Sequence, residues 1–313
     1  MRQTCVNMVY ELAKHDERVV FIGSDLSPGL LADMKRDYPD RWYMEGVGEA
    51  NAIGMAAGMA LEGFLPYVNT IATFITRRCY EQVAIDLCLH DLPVRLIGNG
   101  GGFVYAPLGP THEAIEDIAI MRALPNMTVV APADAQEMKR FMAVTPDWPH
   151  PIYIRLAKGG DEVITAPADG FAIGKAVLLR EAFGGSGKPV LLVGTGVATT
   201  QALHAAEMLG ADGISCHVLH LPSVKPLDVT ALEKLARGAR LVVTVEEHSV
   251  IGGLGSAVTD ALVAHMDGNV PRMRRLGIPD VFAADYGSQE WLMETYGIHA
   301  PQIAETIRKA VLS

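Results

Sequence analysis

Two residues and their settings hold the most chemical promise in this chain. Glu49 stands at the head of a run, residues 50–61, in which Asn51 is the only side chain with strong hydrogen-bonding capacity. Glycines and alanines recur in each turn of that run, which lets neighbouring backbone come close. A helix apolar on all sides is normally buried on all sides, so the run predicts a buried helix with a carboxylate at its mouth. A buried carboxyl has a raised pKa unless it is paired, which is the condition of a poised acid/base group. A helix cap or a solvated turn glutamate is the plain alternative. His112 lies in Gly109-Pro-Thr-His-Glu113, a turn of Gly and Pro in which an imidazole can be held rigidly beside a ligand. There the plain alternative is a helix start with Thr111 as its cap. Phe74 follows Thr73 at an expected strand end, and a lone Phe is ordinarily core. Asp25, in Ser24-Asp-Leu-Ser-Pro28, follows the first expected strand at its carboxyl end, where ligands gather in open α/β sheets.

These residues need elements to hold them. The apolar run 19–23, bounded by Gly and Asp, suits a strand buried on both faces and follows a helical pattern over 4–15. Then come helix 30–38, strand 64–70, helix 78–90 and strand 93–98, which runs into Gly100-Gly-Gly102. A helix to about 121, strand 127–132, helix 135–144 and strand 151–156 complete the first half. Strands alternating with helices predict a mainly parallel sheet with helices on both faces. Composition shifts between 159 and 188, and Gly184-Gly-Ser-Gly-Lys-Pro189 reads as a flexible turn. A second alternation follows: strand 189–194, helix 199–209, strand 214–221, helix 228–237, strand 240–246, and helices over 255–265 and 301–312. The expectation is an α/β protein of two domains, 1–165 and 189–313, joined by a linker at 166–188 with a strand or two.

At 313 residues, half of them hydrophobic, the chain can bury ample core for both. A formal charge of -10 with no compensating basic stretch argues against a nucleic-acid surface. Cys5, Cys79, Cys88 and Cys216 have no metal-type spacing, and reduced thiols in a cytosolic protein account for them. No metal site is expected on this chain. Neither a signal-like N-terminus nor an uncharged run long enough to span a membrane is present, so the expected class is soluble and cytoplasmic.

Gly46-Val-Gly-Glu-Ala-Asn-Ala-Ile-Gly-Met-Ala-Ala-Gly58 resembles the stretch that holds the catalytic glutamate in the pyrimidine-binding domain of transketolases and their relatives. Gly109-Pro-Thr-His-Glu113 is the most transketolase-like short motif. Val245-Glu-Glu-His-Ser-Val-Ile-Gly-Gly-Leu-Gly-Ser-Ala257 resembles the C-terminal domain of the same superfamily. The first domain is therefore expected to bind the pyrimidine of thiamine diphosphate, and the smaller second one to be a transketolase C-terminal domain. The resemblance implies that Glu49 bonds N1′ of the aminopyrimidine and drives it to the imino tautomer, which takes the proton from thiazolium C2. A proton shared in that way needs a dry site. It further implies that Phe74 stacks on the aminopyrimidine, that Asp25 lines the site, and that His112 donates to a substrate oxygen gaining charge. For a substrate phosphate it implies Arg2 and Lys158, with Arg155 a further cation nearby. Lys158 stands where the family has Arg, a point charge instead of a bidentate fork. Gly29 and Gly100 replace a family Ser and His, and Leu108 replaces an Asp that reads a sugar hydroxyl. A second family aromatic falls on Arg77. Glu246, Glu247 and His248 read as a buried polar knot at a domain interface, and the glycines after them lack a dinucleotide-binding spacing.

The resemblance covers nearly the whole chain but only the back half of a full transketolase. No Gly-Asp-Gly occurs, so magnesium and diphosphate contacts are expected from another polypeptide. The implied protein is the C-terminal subunit of a split transketolase, a transferase active with thiamine diphosphate and Mg²⁺. It would move a two-carbon ketol unit between sugars or sugar phosphates. Its partner would be an N-terminal, diphosphate-binding subunit in an α2β2 assembly, with this chain dimerising through surfaces such as helix 53–61. One alternative is a subunit like deoxyxylulose-phosphate synthase or the β chain of 2-oxoacid dehydrogenases. Another is a non-catalytic scaffold partner that has kept the fold.

Overall fold

The computed structural model describes all residues except Asp25, Ser27, Pro28, Leu30, Gly185, Ser186 and Ser313. The candidate Asp25, the first residue of the expected 30–38 helix and the middle of the expected 184–189 turn thus lie outside the described residues.

Two sheets organise the chain. The first has the order β10-β5-β6-β4-β3-β1-β2. Its strands are β1 (Val19–Gly23), β2 (Trp42–Met44), β3 (Leu65–Ile71), β4 (Arg95–Asn99), β5 (Thr128–Val130), β6 (Ile152–Leu156) and β10 (Ser223–Lys225). All pairings are parallel except β10 with β5. The second sheet has the order β12-β11-β8-β9-β7, from β7 (Val177–Arg180), β8 (Val190–Gly194), β9 (Cys216–His220), β11 (Leu241–Ser249) and β12 (Arg272–Ile278). It too is parallel apart from β7 on β9. β1, β4, β6 and β8 are buried along their full length, and β1 and β8 accordingly read as continuous apolar runs without alternation.

Helices cover both faces of the first sheet. On one side α1 (Arg2–Ala13) and α6 (Ala135–Val144) close a cluster that includes Cys5, Val9, Phe21, Phe141 and Met142. Asp134 caps α6 by accepting from the backbone N–H of Gln136 and Glu137 at 2.8 and 2.9 Å, a contact worth about 1 kcal/mol. On the other side α3 (Glu49–Leu61) and α5 (Asp117–Ala123) belong to a cluster that continues through Val224 into Leu191, Val193 and Leu254 of the second unit. The core is therefore continuous across the two sheets.

The expected 166–188 linker contains β7, which belongs to the second sheet, and β10 crosses back from the second half to edge the first. The expected 78–90 helix is also different in kind. It is two π-helical segments, Phe74–Arg78 and Val83–Leu89, flanking the short α4 (Tyr80–Gln82). All four cysteines are buried and free. Among the described residues no helix is long and apolar enough to cross a membrane.

Candidate active site

The carboxyl ends of β1, β3, β4 and β6 share one edge of the first sheet, and the candidate residues gather there. Glu49 is the first residue of α3 and is 5% exposed. The burial expected for its carboxylate is met by a partner: Arg78 Nη1 donates to Oε2 over 2.8 Å. The helix behind it is less enclosed than its composition predicts. Ala52, Ile53, Ala56, Ala57 and Ala60 are buried, but Ala50, Gly54, Gly58 and Leu61 form an exposed stripe. A single copy of the chain leaves that face uncovered.

Thr73 and Phe74 follow β3 into the first π-helical turn. π-turns are rare and concentrate at functional sites; this one puts consecutive arginines, Arg77 and Arg78, on the same cleft. Thr73 Oγ1 donates to the carbonyl of His112 at 3.0 Å. The Phe74 and His112 rings meet edge to face at 5.2 Å, a geometry that aromatic quadrupoles favour. Thr111 does not cap a helix as expected, because α5 begins only at Asp117. Its hydroxyl instead lies 2.9 Å from His112 Nδ1. When that hydroxyl donates, Nε2 keeps the imidazole proton and can give it to a ligand. Arg77, in the place of a family aromatic, reaches the carbonyl of Thr111 at 3.2 Å and Glu116 at 3.0 Å.

Thr73, Phe74, Arg77, Arg78, Pro110 and Thr111 line a cleft of about 710 Å³ whose far wall is Phe282, from the segment after β12. Glu49 and His112 lie behind this lining, against Arg78, Phe74 and Thr111. Leu108, on the other side of the 108–112 turn, lines a smaller cavity of about 200 Å³ with Arg2, Tyr105 and Lys158. The structure thus brings Arg2 and Lys158 together as a pair of cations near the site. Gly100 permits this cavity's shape, since a Cβ there would lie 2.2 Å from the Tyr105 ring. The space beside Gly100 is filled by the ring of Tyr105. Gly109 has a similar role under the 108–112 turn. Its φ is +76° and its ψ −172°, a region essentially restricted to glycine, and a Cβ would meet the Tyr286 ring at 2.6 Å. Gly109→Ala is expected to cost about 2–3 kcal/mol in urea unfolding. It should also lower turnover by moving His112, whereas Ala at Gly238, where a Cβ would meet only the Leu235 carbonyl at an ordinary 3.7 Å, should do neither.

Arg155 lies apart from the Arg2 and Lys158 pair. It is 6% exposed and points away from both cavities into the polar knot. Nε donates to Asp117 Oδ2 at 2.8 Å, and Nη2 donates to the carbonyls of Ala114 and Glu247 at 3.1 and 2.8 Å. Nε and Nη2 are thus engaged in holding the two units together. The knot itself is present at the interface as expected. Glu246 accepts from the backbone N–H of Leu254 and Gly255, at the start of α9 (Leu254–His265). Glu247 accepts from Phe103 N–H at 2.7 Å and from Gln289. His248 Nδ1 donates to the Ser249 carbonyl, leaving Nε2 to accept from Ala119 N–H. Burial pushes His248 down to about 4.

Glu113 follows His112 and is 1% exposed, and neither carboxylate oxygen has a hydrogen-bond partner. Burial raises its pKa to about 7, as it does for Glu246 and Glu247. A carboxyl protonated more readily in the folded state loses stability as pH rises from the unfolded value, near 4.5, through 7, and is level above. His248 acts in the opposite sense between 6.5 and 4, and His217 is lowered too, but Glu116 and Asp161 are also raised, so two imidazoles stand against five carboxyls. Stability is therefore expected to fall between pH 5 and 7. Glu113→Gln should raise the urea midpoint at pH 8, by on the order of 1–3 kcal/mol, and leave it nearly unchanged at pH 5.

Known proteins resemble this chain along nearly its whole length. Residues 1–160 match the model of the transketolase pyrimidine-binding domain, and residues 179–303 match that of the transketolase C-terminal domain. The chain belongs to the transketolase family. Among relatives of this transketolase-family chain, the 6-deoxy-6-sulfo-D-fructose transketolase subunit SqwH of a Clostridium species is 36% identical, over 97% of this chain and 92% of its own length. A 1-deoxy-D-xylulose-5-phosphate synthase of a Synechococcus species is 38% identical, over 95% of this chain and 45% of its own length. A solved structure described as a split gene transketolase, an inactive beta4 tetramer, superposes with a TM-score of 0.88 at 35% identity, covering 99% of this chain and 98% of that one.

Arg78, Tyr105 and Phe282 were missed by sequence reasoning. The Phe74–Arg78 π-turn brings Arg78 to Glu49 across a 29-residue separation that no local pattern reports. Tyr105 and Phe282 come from loops.

Proposed function

We propose that this chain is the C-terminal subunit of a two-subunit, thiamine-diphosphate-dependent transketolase that moves a two-carbon ketol unit between sugar or sugar-phosphate substrates. The observation that carries this reading is the buried Glu49 carboxylate, joined through Arg78 to the face of Phe74, with the His112 ring at its edge. A protonatable carboxylate, a flat aromatic and a largely apolar cleft are a chemical fit for an aminopyrimidine. When bound, the cofactor supplies the thiazolium that stabilises a carbanion. Glu49 then holds a proton against N1′ in a site from which water is largely excluded. Phe74 fixes the ring plane, and His112 donates through Nε2 to the substrate oxygen that gains charge. Arg2 and Lys158 hold the substrate's distal anion in the 200 Å³ cavity. Among the described residues no three His, Cys, Asp or Glu stand together as a metal site, and no step on this chain is assigned to magnesium.

Support for a partner comes from relatives that are themselves named as subunits or as split-gene products and match this chain nearly end to end. The diphosphate and Mg²⁺ contacts are assigned to that second chain. The exposed face of α3, with Gly54 and Gly58 open to close approach, is assigned to a second copy of this one. A cytoplasmic location goes with the reading.

The test is to recover tagged chain from its own cells and identify what accompanies it. Ketol transfer that appears only when both chains, thiamine diphosphate and Mg²⁺ are combined supports the proposal. Recovery of the chain alone, with no cofactor binding, overturns it in favour of a scaffold. The synthase relative favours a second reading, and carbon dioxide release from a 2-oxoacid donor in the same assay would select it.

A further inference from the structure

Arg78 stands where the proposed function needs a flat heteroaromatic ring. Its guanidinium carbon lies 4.2 Å from the centroid of Phe74, and Nη1 donates to Glu49 Oε2 over 2.8 Å. One planar group thus covers the aromatic face and answers the buried carboxylate, the two contacts that an aminopyrimidine would make. A guanidinium suits both tasks, because it is delocalised, weakly hydrated, stacks on aromatic faces and donates in its own plane. The two partners differ in freedom. The Arg78 side chain is 46% exposed and that of Glu49 is 3% exposed, so the arginine can swing into water while the glutamate stays.

We infer that Arg78 is a placeholder for the cofactor ring. It pairs with Glu49 and covers Phe74, and an incoming aminopyrimidine displaces it into the open cleft. Arg78 is then a positioning residue: it presents the carboxylate in one orientation before loading and withdraws its charge from that carboxylate on loading. The inference rests on Glu49 and Phe74 being the seat of the ring. A seat occupied by its own side chain lowers apparent cofactor affinity by the fraction of time it stands open, and loading must wait for the opening.

The test uses the chain with its co-purified diphosphate-binding partner, titrated with thiamine diphosphate in excess Mg²⁺ by calorimetry and followed by stopped-flow. Arg78→Ala is expected to lower the Kd about five- to twentyfold and to lack the ceiling on loading rate that the native complex is expected to show at high cofactor. Arg78→Gln keeps a hydrogen-bond donor for Glu49 without a full guanidinium plate, so it should load faster while protecting the fold. Methylguanidinium, filling the vacated place, should weaken binding to Arg78→Ala and leave the native complex unaffected. A Kd unchanged or raised in both variants overturns the placeholder and makes Arg78 a contact that persists beside the cofactor. A native complex that binds no thiamine diphosphate overturns the proposed function instead.

Discussion

Glu49→Gln is expected to lower ketol transfer by the reconstituted complex about a thousandfold while leaving thiamine diphosphate binding within a few fold of native. The substitution changes one oxygen to an amide nitrogen, so the start of α3 keeps its volume and Arg78 keeps an acceptor in the amide oxygen. What the amide cannot do is take up and release a proton at N1′. Calorimetry checks binding, and solvent exchange of the cofactor's C2 proton, followed by NMR, checks the proton step. The expected pattern is normal binding with slow exchange. Normal exchange and normal turnover would remove Glu49 from the chemistry and favour a scaffold, whereas lost binding with normal exchange at saturation would make it a contact only.

Arg155→Met should produce the largest loss of stability. The side chain supplies the donors for Asp117, Ala114 and Glu247 from a position that water scarcely reaches. Removing it leaves a buried carboxylate with Tyr153, whose hydroxyl donates at 2.6 Å, and with the His248 imidazole 3.9 Å away. Breaking one partner of a buried ion pair costs about 3–5 kcal/mol. Urea unfolding should show this as a lower midpoint, and as a second transition, because the arginine ties strand β6 of the first sheet to strand β11 of the second. Asp117→Asn placed on Arg155→Met should recover part of the loss, since it discharges the orphaned carboxylate. A single cooperative transition with an unchanged midpoint would show that the knot is not what joins the units.

Much of the fold was legible because buried parallel strands write themselves as short apolar runs. The expected 19–23 strand and 135–144 helix coincide with β1 and α6. Elements lacking such a signature were not anticipated. β12, Arg272–Ile278, has arginines on its exposed positions, β10 has only three residues, and α10, Gln289–Thr295, is a short polar helix. In the site, the Gly-Pro-Thr-His turn and the Glu49 helix start were readable as motifs. The direction of Arg155 was not, since a strand residue can face either side and only the partner carbonyls across the interface decide. Nor was the enclosure of α3. Small apolar residues all round a helix say that something packs there, without saying whether it is the same copy of the chain.

β10 gives the sheet a debt to chain not yet made. The strand that covers the edge of β5 lies at Ser223–Lys225, beyond both the 1–160 match and most of the second sheet's first half. On the ribosome the first sheet therefore emerges with an open edge, a row of unpaired backbone donors and acceptors of the kind that invites pairing with other chains. It stays open until some sixty further residues have been synthesised, at about 5–20 residues per second. The boundary that divides the protein as two families of sequence does not divide it as two units of biogenesis. A gene cut there would deliver a first half that cannot finish its own sheet.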